Sequence, residues 1–575
     1  MLFDTLRSAI FSHLKSLLPE DHEIVLEVPP DPEMGDFAFP TFRLAKALRK
    51  APPIIATELA QKCGTLSLFE AKPMGPYLNF FVKPETLRKE VLKTLLTETP
   101  AQKVEKAPPT VVLEYSSPNV AKPFNIYHLR GTMIGNCLSR VFKRRGFNVI
   151  SINHLGDWGT QFGALVLGYE KWGNFEELEK RGIPYLVELY VRINKEMESD
   201  ESLAKQARVR FASLEKGEEK IKKTWQNFVD LSLKTYKKTY ERLGVNFDYY
   251  WGESFYIDKI PSLEKELSDN KLVVESEGAQ VVMLGDMPPC IIRKQDGSTI
   301  YHTRDLAAAL YRYEQFHFDK MVYVVGGEQR LHFAQIFKVL ELLKKPWAKN
   351  CVHVDFGLYR FKDAKMSTRK GNFVTMEAVL DMAVEAVEKL IDARTNDSSG
   401  EAKVHMNDEE KKNNAEIIGV GAVIYNDLAT DRNHDVNFDL ETIIDFEGET
   451  GPYIQYAHTR CLSILRSAKE VQIDQLGKEL PNFVDLLTQK EELNLIRILA
   501  RFPIILDQVV ESYRPSHLAS YLIDVTKVFN AFYRSHKVLV DELALSKARL
   551  SLVSATQRVL YEGTSLLGMR LPQKM

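Results

Sequence analysis

The sequence predicts an α/β protein built on a parallel sheet, with a small α+β domain ahead of it and an all-helical region behind. Three observations carry that expectation. Short apolar runs at Val111–Leu113, Asn148–Ile152, Met321–Val325 and Cys351–Phe356 alternate with stretches of helical periodicity, as βαβ units do. From Tyr185 to about Leu243 the pattern is almost continuously helical, with dense Lys and Glu between apolar positions, so this stretch reads as an insertion into the α/β alternation. From Met376 to the C-terminus helical periodicity dominates, broken by a polar connection from Thr395 to Asn414.

A chain of 575 residues is too long for one hydrophobic core and implies several domains. The first, to about residue 98, combines an amphipathic opening helix (Leu2, Phe3, Leu6, Ile10, Leu14, Leu17, Leu18), a turn at Gly35-Asp36-Phe37-Ala38, a helix through Leu44, Ala45, Ala47 and Leu48, and a strand at Tyr77–Val82. Asp4, Arg7 and Lys15 between the apolar positions of the opening helix make it read as an amphipathic helix rather than a secretory h-region. Thr99 to Pro109 reads as a linker.

The formal net charge of -2 does not mark a nucleic-acid binder, although such a sum hides a local basic face in a large protein. Five cysteines are scattered and never form Cys-x-x-Cys, so neither a disulfide framework nor a zinc site is expected. That usage fits a reducing cytosol. No run approaches the ~20 apolar residues of a membrane span.

Chemistry is expected between Glu114 and Arg130, Glu-Tyr-Ser-Ser-Pro-Asn-Val-Ala-Lys-Pro-Phe-Asn-Ile-Tyr-His-Leu-Arg. A buried strand precedes it, and Met133, Ile134, Leu138, Val141 and Phe142 follow at helical spacing until Gly146. The stretch is therefore the turn at the carboxyl end of a parallel strand, where open α/β sheets bind ligands. The free N–H groups of a first helical turn favour an anion there, and Lys122 and His128 add donors, which points to phosphate.

Further along, His154 to Gly163 carries three glycines, Gly252-Glu253-Ser254 and Arg293 to Tyr301 bring back strand and turn signals, and Asp296-Gly297 is a hairpin dipeptide. Tyr301 and Asp305 share a face if a helix starts there. Gly326-Gly327-Glu328-Gln329 turns the chain after the Met321 strand into a helix from Leu331. Lys365-Met366-Ser367-Thr368-Arg369-Lys370-Gly371 is a basic, hydroxyl-bearing loop of a kind that closes over polyphosphate.

Together these residues resemble class I aminoacyl-tRNA synthetases, and among them the arginyl-tRNA synthetase family. Glu114 to His128 resembles the strand and HIGH signature, with Asn125-Ile126-Tyr127-His128 at the tetrapeptide, and Lys365 to Gly371 resembles the variant KMSK loop. Leu155-Gly156-Asp157-Trp158-Gly159, Gly252-Glu253-Ser254, Tyr301 to Asp305, Gly451 to His458 and the closing Leu566-Leu567-Gly568-Met569 with Pro572 and Met575 extend the match, in order, over nearly the whole chain.

The resemblance implies a Rossmann-like catalytic core at residues 106–385 with its helical insertion at about 185–245. A tRNA-contacting N-terminal domain at 1–105 and an anticodon-binding helical bundle at 386–575 would flank that core. It implies activation of arginine by ATP with Mg²⁺, transfer to the 3′ end of tRNA, and a monomer acting in the cytoplasm. Residue by residue, it assigns Glu253, Asp305 and Tyr301 to the guanidinium and its stem, Glu114 and Asn119 to the α-amino end, and Gln329 to the rest of the arginine pocket. Lys122, His128, Lys365 and Lys370 are assigned to charge neutralisation, and Asn125, Tyr127, His128, Met366 and Ser367 to ATP. Thr368 replaces the second lysine of the commoner loop, a charge that the family logic moves to Lys122. Tyr127 stands where the signature has glycine, and a catalytically impaired tRNA- or arginine-binding protein is the alternative this substitution leaves open.

Overall fold

The structure, a computed structural model, describes residues 2–18, 22–29, 34–63, 68–97, 107–361, 375–396, 406–469 and 471–575. Its centre is a five-stranded sheet of Thr110–Glu114 (β1), Asn148–Asn153 (β2), Tyr249–Tyr250 (β3), Lys320–Val324 (β4) and Cys351–Val354 (β5). The order is β5-β4-β1-β2-β3, and every neighbouring pair is parallel. Strand order therefore reverses between β1 and β4, which opens a crevice beyond their carboxyl ends. Val111, Val112 and Leu113 are fully buried, as a strand covered on both faces requires.

Helix α1 (Tyr127–Arg144) joins β1 to β2, and α2 (Tyr301–Phe316) and α3 (Arg330–Leu342) flank β4. Gly135 of α1 faces the Tyr115 ring so closely that a Cβ would overlap it, which brings the helix down onto the end of β1. Five helices between Thr160 and Leu243 fill the space before β3, the last and longest being Glu219–Leu243. A three-stranded antiparallel sheet, Val273–Ser276, Ala279–Leu284 and Met287–Arg293, precedes α2. The Asp296-Gly297 pair sits in a tight turn with Gly297 at φ +79°, bridging Arg293 to Thr299.

Two expectations change. Gly35 does turn the chain at φ +97°, but Phe37 and Ala38 already belong to the strand Phe37–Pro40, paired antiparallel with Tyr77–Val82. The polar connection before the bundle ends earlier than Asn414, because Asp408–Ala429 is a helix. Asn407 and Glu410 form a reciprocal capping box there, which lets two polar turns start a helix that apolar periodicity does not mark.

The helical region runs through Met376–Asn396, Gly451–Ser467, Lys490–Ala500, Phe502–Ser512, Ser516–Ser535 and Leu543–Leu567. Phe529, Phe532 and Arg549 are buried in it, whereas Tyr533 is exposed beside Arg460 and the Tyr513 hydroxyl accepts from Lys320 at 2.8 Å. Among the described residues no helix is long and apolar enough to cross a membrane. All five cysteines are free thiols.

Candidate active site

The crevice between β1 and β4 is floored by a chain of charged side chains. Glu114, the last residue of β1, pairs with the fully buried guanidinium of Arg312 on α2. Arg312 also donates to the Tyr256 hydroxyl at 3.0 Å and stands 3.3 Å from Nδ1 of His154, which lies just past β2. The other nitrogen of His154 stands 3.3 Å from Asp305, and the second oxygen of Asp305 lies 2.6 Å from Nε2 of His332 on α3. Glu253 is paired with Arg304 at 2.5 Å. Helix α2 thus supplies both a carboxylate and two guanidinium groups to one crevice, because Arg304, Asp305 and Arg312 fall at near-helical spacing on its inward side.

The electrostatics follow from that crowding. Burial disfavours the His154 cation, yet Glu114 and Asp305 outweigh burial and the opposing Arg312, and push its pKa up to about 9. Burial alone would raise Asp305, but contact with His154 and His332 pulls it below the ordinary carboxylate range. Burial raises the Glu253 carboxyl, with Arg304 opposing.

Tyr301 opens α2 with half its surface exposed, its ring 5.0 Å from that of His332, the imidazole that pairs with Asp305. Asn119 pairs backbone to backbone with Gly156, where a Cβ would strike the Asn119 side chain. Glu253 is tied to the same loop through its N–H to the Leu155 carbonyl at 3.0 Å. Glu114, Asn119, Glu253, Tyr301 and Asp305 are thereby brought together. Gln329 stands exposed at the turn after β4 and its side chain makes no hydrogen bond among the described residues.

The signature loop from Tyr115 to Ile126 is held in unusual backbone geometry. Ser116, Ser117 and Ala121 all have positive φ (73°, 47° and 61°), a conformation that costs a non-glycine residue roughly 1 kcal/mol or more. The long helix Glu219–Leu243 compensates with three side chains. Ser232 accepts from the Ala121 N–H at 3.0 Å, Tyr240 shares a hydrogen bond with Ser116 at 2.7 Å, and the Tyr236 hydroxyl reaches the carbonyls of Asn119 and Lys122, both at 2.7 Å.

Lys122 is exposed at the mouth of the loop, and its ammonium has no partner among the described residues. His128, in the first turn of α1, stacks on Phe124 at 5.0 Å, and its Nδ1 stands 3.2 Å from the Asn125 nitrogen and 3.3 Å from the Asn125 carbonyl oxygen. Burial, reinforced by Lys122, lowers its pKa to about 4. The ring is therefore neutral at pH 7, with Nδ1 turned to the Asn125 backbone at the helix N-terminus. Asn125 accepts the Tyr127 N–H at 3.2 Å, and the Tyr127 side chain remains 40% exposed at the first position of α1. Lys365, Met366, Ser367 and Lys370, with Thr368, lie outside the described residues. The chain resumes beside the signature loop: Thr375 bridges Asn125, and the Met376 N–H donates to the Phe124 carbonyl at 2.9 Å.

Sequence reading missed His154, Arg304, Arg312 and His332, the partners of the three carboxylates, and Ser232, Tyr236 and Tyr240, the supports of the loop. Arg304 and Arg312 were in view beside Asp305 at spacings of one and seven residues. Nothing local marks the tyrosines.

Residues 90–440 match the family model described as tRNA synthetases class I (R), catalytic domain; residues 454–575 match the DALR anticodon binding domain, and residues 4–82 the arginyl tRNA synthetase N terminal domain. The chain belongs to the arginyl-tRNA synthetases. Arginine–tRNA ligase of Clostridium perfringens is 44% identical over 562 residues, 97% of each chain, and that of Clostridium beijerinckii 46% identical over 561 residues, 96% of each. The fold is that of the arginyl-tRNA synthetase of Thermus thermophilus (TM-score 0.83, 24% identity, all of both chains) and that of Plasmodium falciparum (TM-score 0.81, 24% identity, 100% of this chain and 99% of that one). Asn125 caps the turn into the helix that Tyr127 opens.

Proposed function

We propose that the chain is an arginine–tRNA ligase, which condenses arginine with ATP to an adenylate, releases pyrophosphate, and passes the arginyl group to the 3′ end of its tRNA. One observation supports this most: Glu253 and Asp305, partly buried and held by partners on separate elements, converge where the strand order reverses. A guanidinium is planar, permanently charged and forked, so a pocket that selects it over lysine needs carboxylates fixed in direction.

In this reading Glu253 and Asp305 receive the guanidinium, Tyr301 lies along the stem, Asn119 meets the α-amino end above the Glu114–Arg312 pair, and Gln329 closes the rim. Displacement at the α-phosphorus needs positioning and charge neutralisation rather than a covalent nucleophile. Lys122 supplies a cation and His128 a hydrogen-bond donor toward the phosphates, with Lys365 and Lys370 joining them, and Asn125, Tyr127, Met366 and Ser367 contact the nucleotide. Magnesium accompanies the ATP, since it keeps its waters and binds chiefly through substrate phosphates. The helical region from 386 onward grips the anticodon arm, the N-terminal domain touches the tRNA, and the protein works as a monomer in the cytoplasm.

Pyrophosphate exchange with arginine, measured with and without tRNA, tests the activity directly. Exchange that depends on arginine is expected; binding of arginine or tRNA without exchange would leave the impaired binding protein.

A further inference from the structure

We propose that His154 exchanges its proton for the positive charge of the substrate, so that arginine binding at Asp305 releases one proton from the His154 ring. The proposal rests on the arginine-pocket reading and adds a positioning residue to it.

Of the three carboxylates in the crevice, two already have a permanent cation. Glu114 has Arg312 and Glu253 has Arg304. Among the described residues Asp305 has only the imidazoles of His154 and His332. A guanidinium arriving at Asp305 brings the permanent charge that this carboxylate lacks, and then a charged His154 confronts both Arg312 and the substrate.

The ring can surrender that charge without leaving its Nδ1 unpaired. Its Nδ1 lies 3.1 Å from an acceptor, the Trp251 carbonyl, and 3.3 Å from a donor, Nη2 of Arg312. Protonated, Nδ1 donates to Trp251; deprotonated, it accepts from Arg312. In both states Nε2 lies 3.3 Å from one oxygen of Asp305, whose other oxygen stays 2.6 Å from His332. Only the Nδ1–H bond breaks, and its proton passes to solvent.

The groups that face this ring are few. They are Glu114 from β1, Asp305 and Arg312 from α2, Tyr256 and Glu253 from the turn after β3, Asp157 from its own loop, and His332 on α3 through Asp305. Tyr323 of β4 lies by Arg312. Asp157 is committed to the N–H and hydroxyl of Ser254 at 2.8 and 2.7 Å. The raised pKa of His154 places its proton on the ring at neutral pH, where there is one to release.

Calorimetric titration of the full chain with arginine, in buffers of different ionisation enthalpy, measures the proton count. Close to one proton released per arginine is expected, with affinity weakening about tenfold per unit fall in pH between about pH 8.5 and 7. His154→Gln, which keeps a donor toward Asp305, should bind arginine with buffer-independent heat and a flat pH profile. A purely structural role would lower affinity equally at every pH and leave the proton count unchanged. Wild-type protein that binds arginine without releasing a proton overturns the proposal, whatever the variant does. So does release that survives His154→Gln and disappears in His332→Gln. Loss of binding in Asp305→Asn, with no release in the wild type, would keep the pocket and discard the exchange. Failure to bind arginine with or without tRNA would overturn the pocket and the exchange together.

Discussion

The hydroxyl of Tyr236 lies 2.7 Å from the carbonyl oxygen of Lys122, so a helix distant in sequence holds the backbone of the loop that presents the exposed Lys122 ammonium. Removing that hydroxyl leaves a carbonyl short of a partner, at a cost of about 1–3 kcal/mol. Tyr236→Phe should therefore lower Tm and slow adenylate formation while the arginine KM stays close to that of the parent. An unchanged single-turnover rate would show that the loop holds its shape unaided.

Arginine selection should depend on the two pocket carboxylates unequally in mechanism but alike in size. Asp305→Asn and Glu253→Gln each remove a charged partner worth about 1.5–3 kcal/mol, or roughly ten- to more than a hundredfold in arginine KM. Steady-state kinetics with arginine varied at saturating ATP and tRNA measure this. A variant with parental KM would place that residue outside the pocket.

In the proposed nucleotide site Tyr127 should act by packing and His128 by hydrogen bonding. The exposed phenol at the start of α1 is expected to stack on adenine, so Tyr127→Gly should raise the ATP KM by an amount equivalent to ~1–3 kcal/mol and spare the arginine KM. If the ring instead crowds the base, the same change lowers the ATP KM. His128→Ala removes a donor aimed at developing charge and should lower kcat by about 10²–10³.

Arg130 should be the most consequential single position for stability in α1. Its guanidinium, 1% exposed, donates to the Asp427 carbonyl at 2.7 Å, to those of Asp431 and His434 at 2.8 and 3.1 Å, and pairs with the buried Asp427 carboxylate, which also accepts from Tyr359 at 2.5 Å. Arg130→Ala strands that carboxylate, and breaking such a buried pair costs about 3–5 kcal/mol. Denaturant unfolding should show the loss. A shift in midpoint no larger than that of a surface substitution would mean the cavity rehydrates.

Stability should peak near pH 6.5. Burial lowers His128, His302 and His458 from 6.5 to about 4, so between those values the unfolded chain binds more protons and stability falls as pH falls. His154, raised to about 9, contributes stability that is complete below 6.5 and lost as pH rises through 9. Melting curves across this range should decline on both sides; a monotonic profile would contradict the assignment.

The sheet was legible because β1, β2, β4 and β5 are apolar runs of strand length separated by helical periodicity, a pattern that depends only on near neighbours. The start of Asp408–Ala429 was not, since its first two turns are polar and are fixed by the Asn407 cap rather than by a buried face. The same division runs through the site. Glu114, Glu253, Asp305, Lys122 and His128 lie in motifs whose spacing is local. Their partners come from elements far away in sequence, as with Ser232 and Tyr236 under the signature loop, or lie unremarked on α2, and no spacing rule marks a residue whose work is to hold another in place.

The Arg130 junction also orders events in time. All five strands of the catalytic sheet are complete at Val354, but the carbonyls that accept the Arg130 guanidinium belong to residues 427–434. A charge on the inner side of α1 stays without its partners until those residues have left the ribosome. The synthesis of some eighty further residues separates a finished sheet from a finished active-site helix, and during that interval the nascent core has reason to remain open.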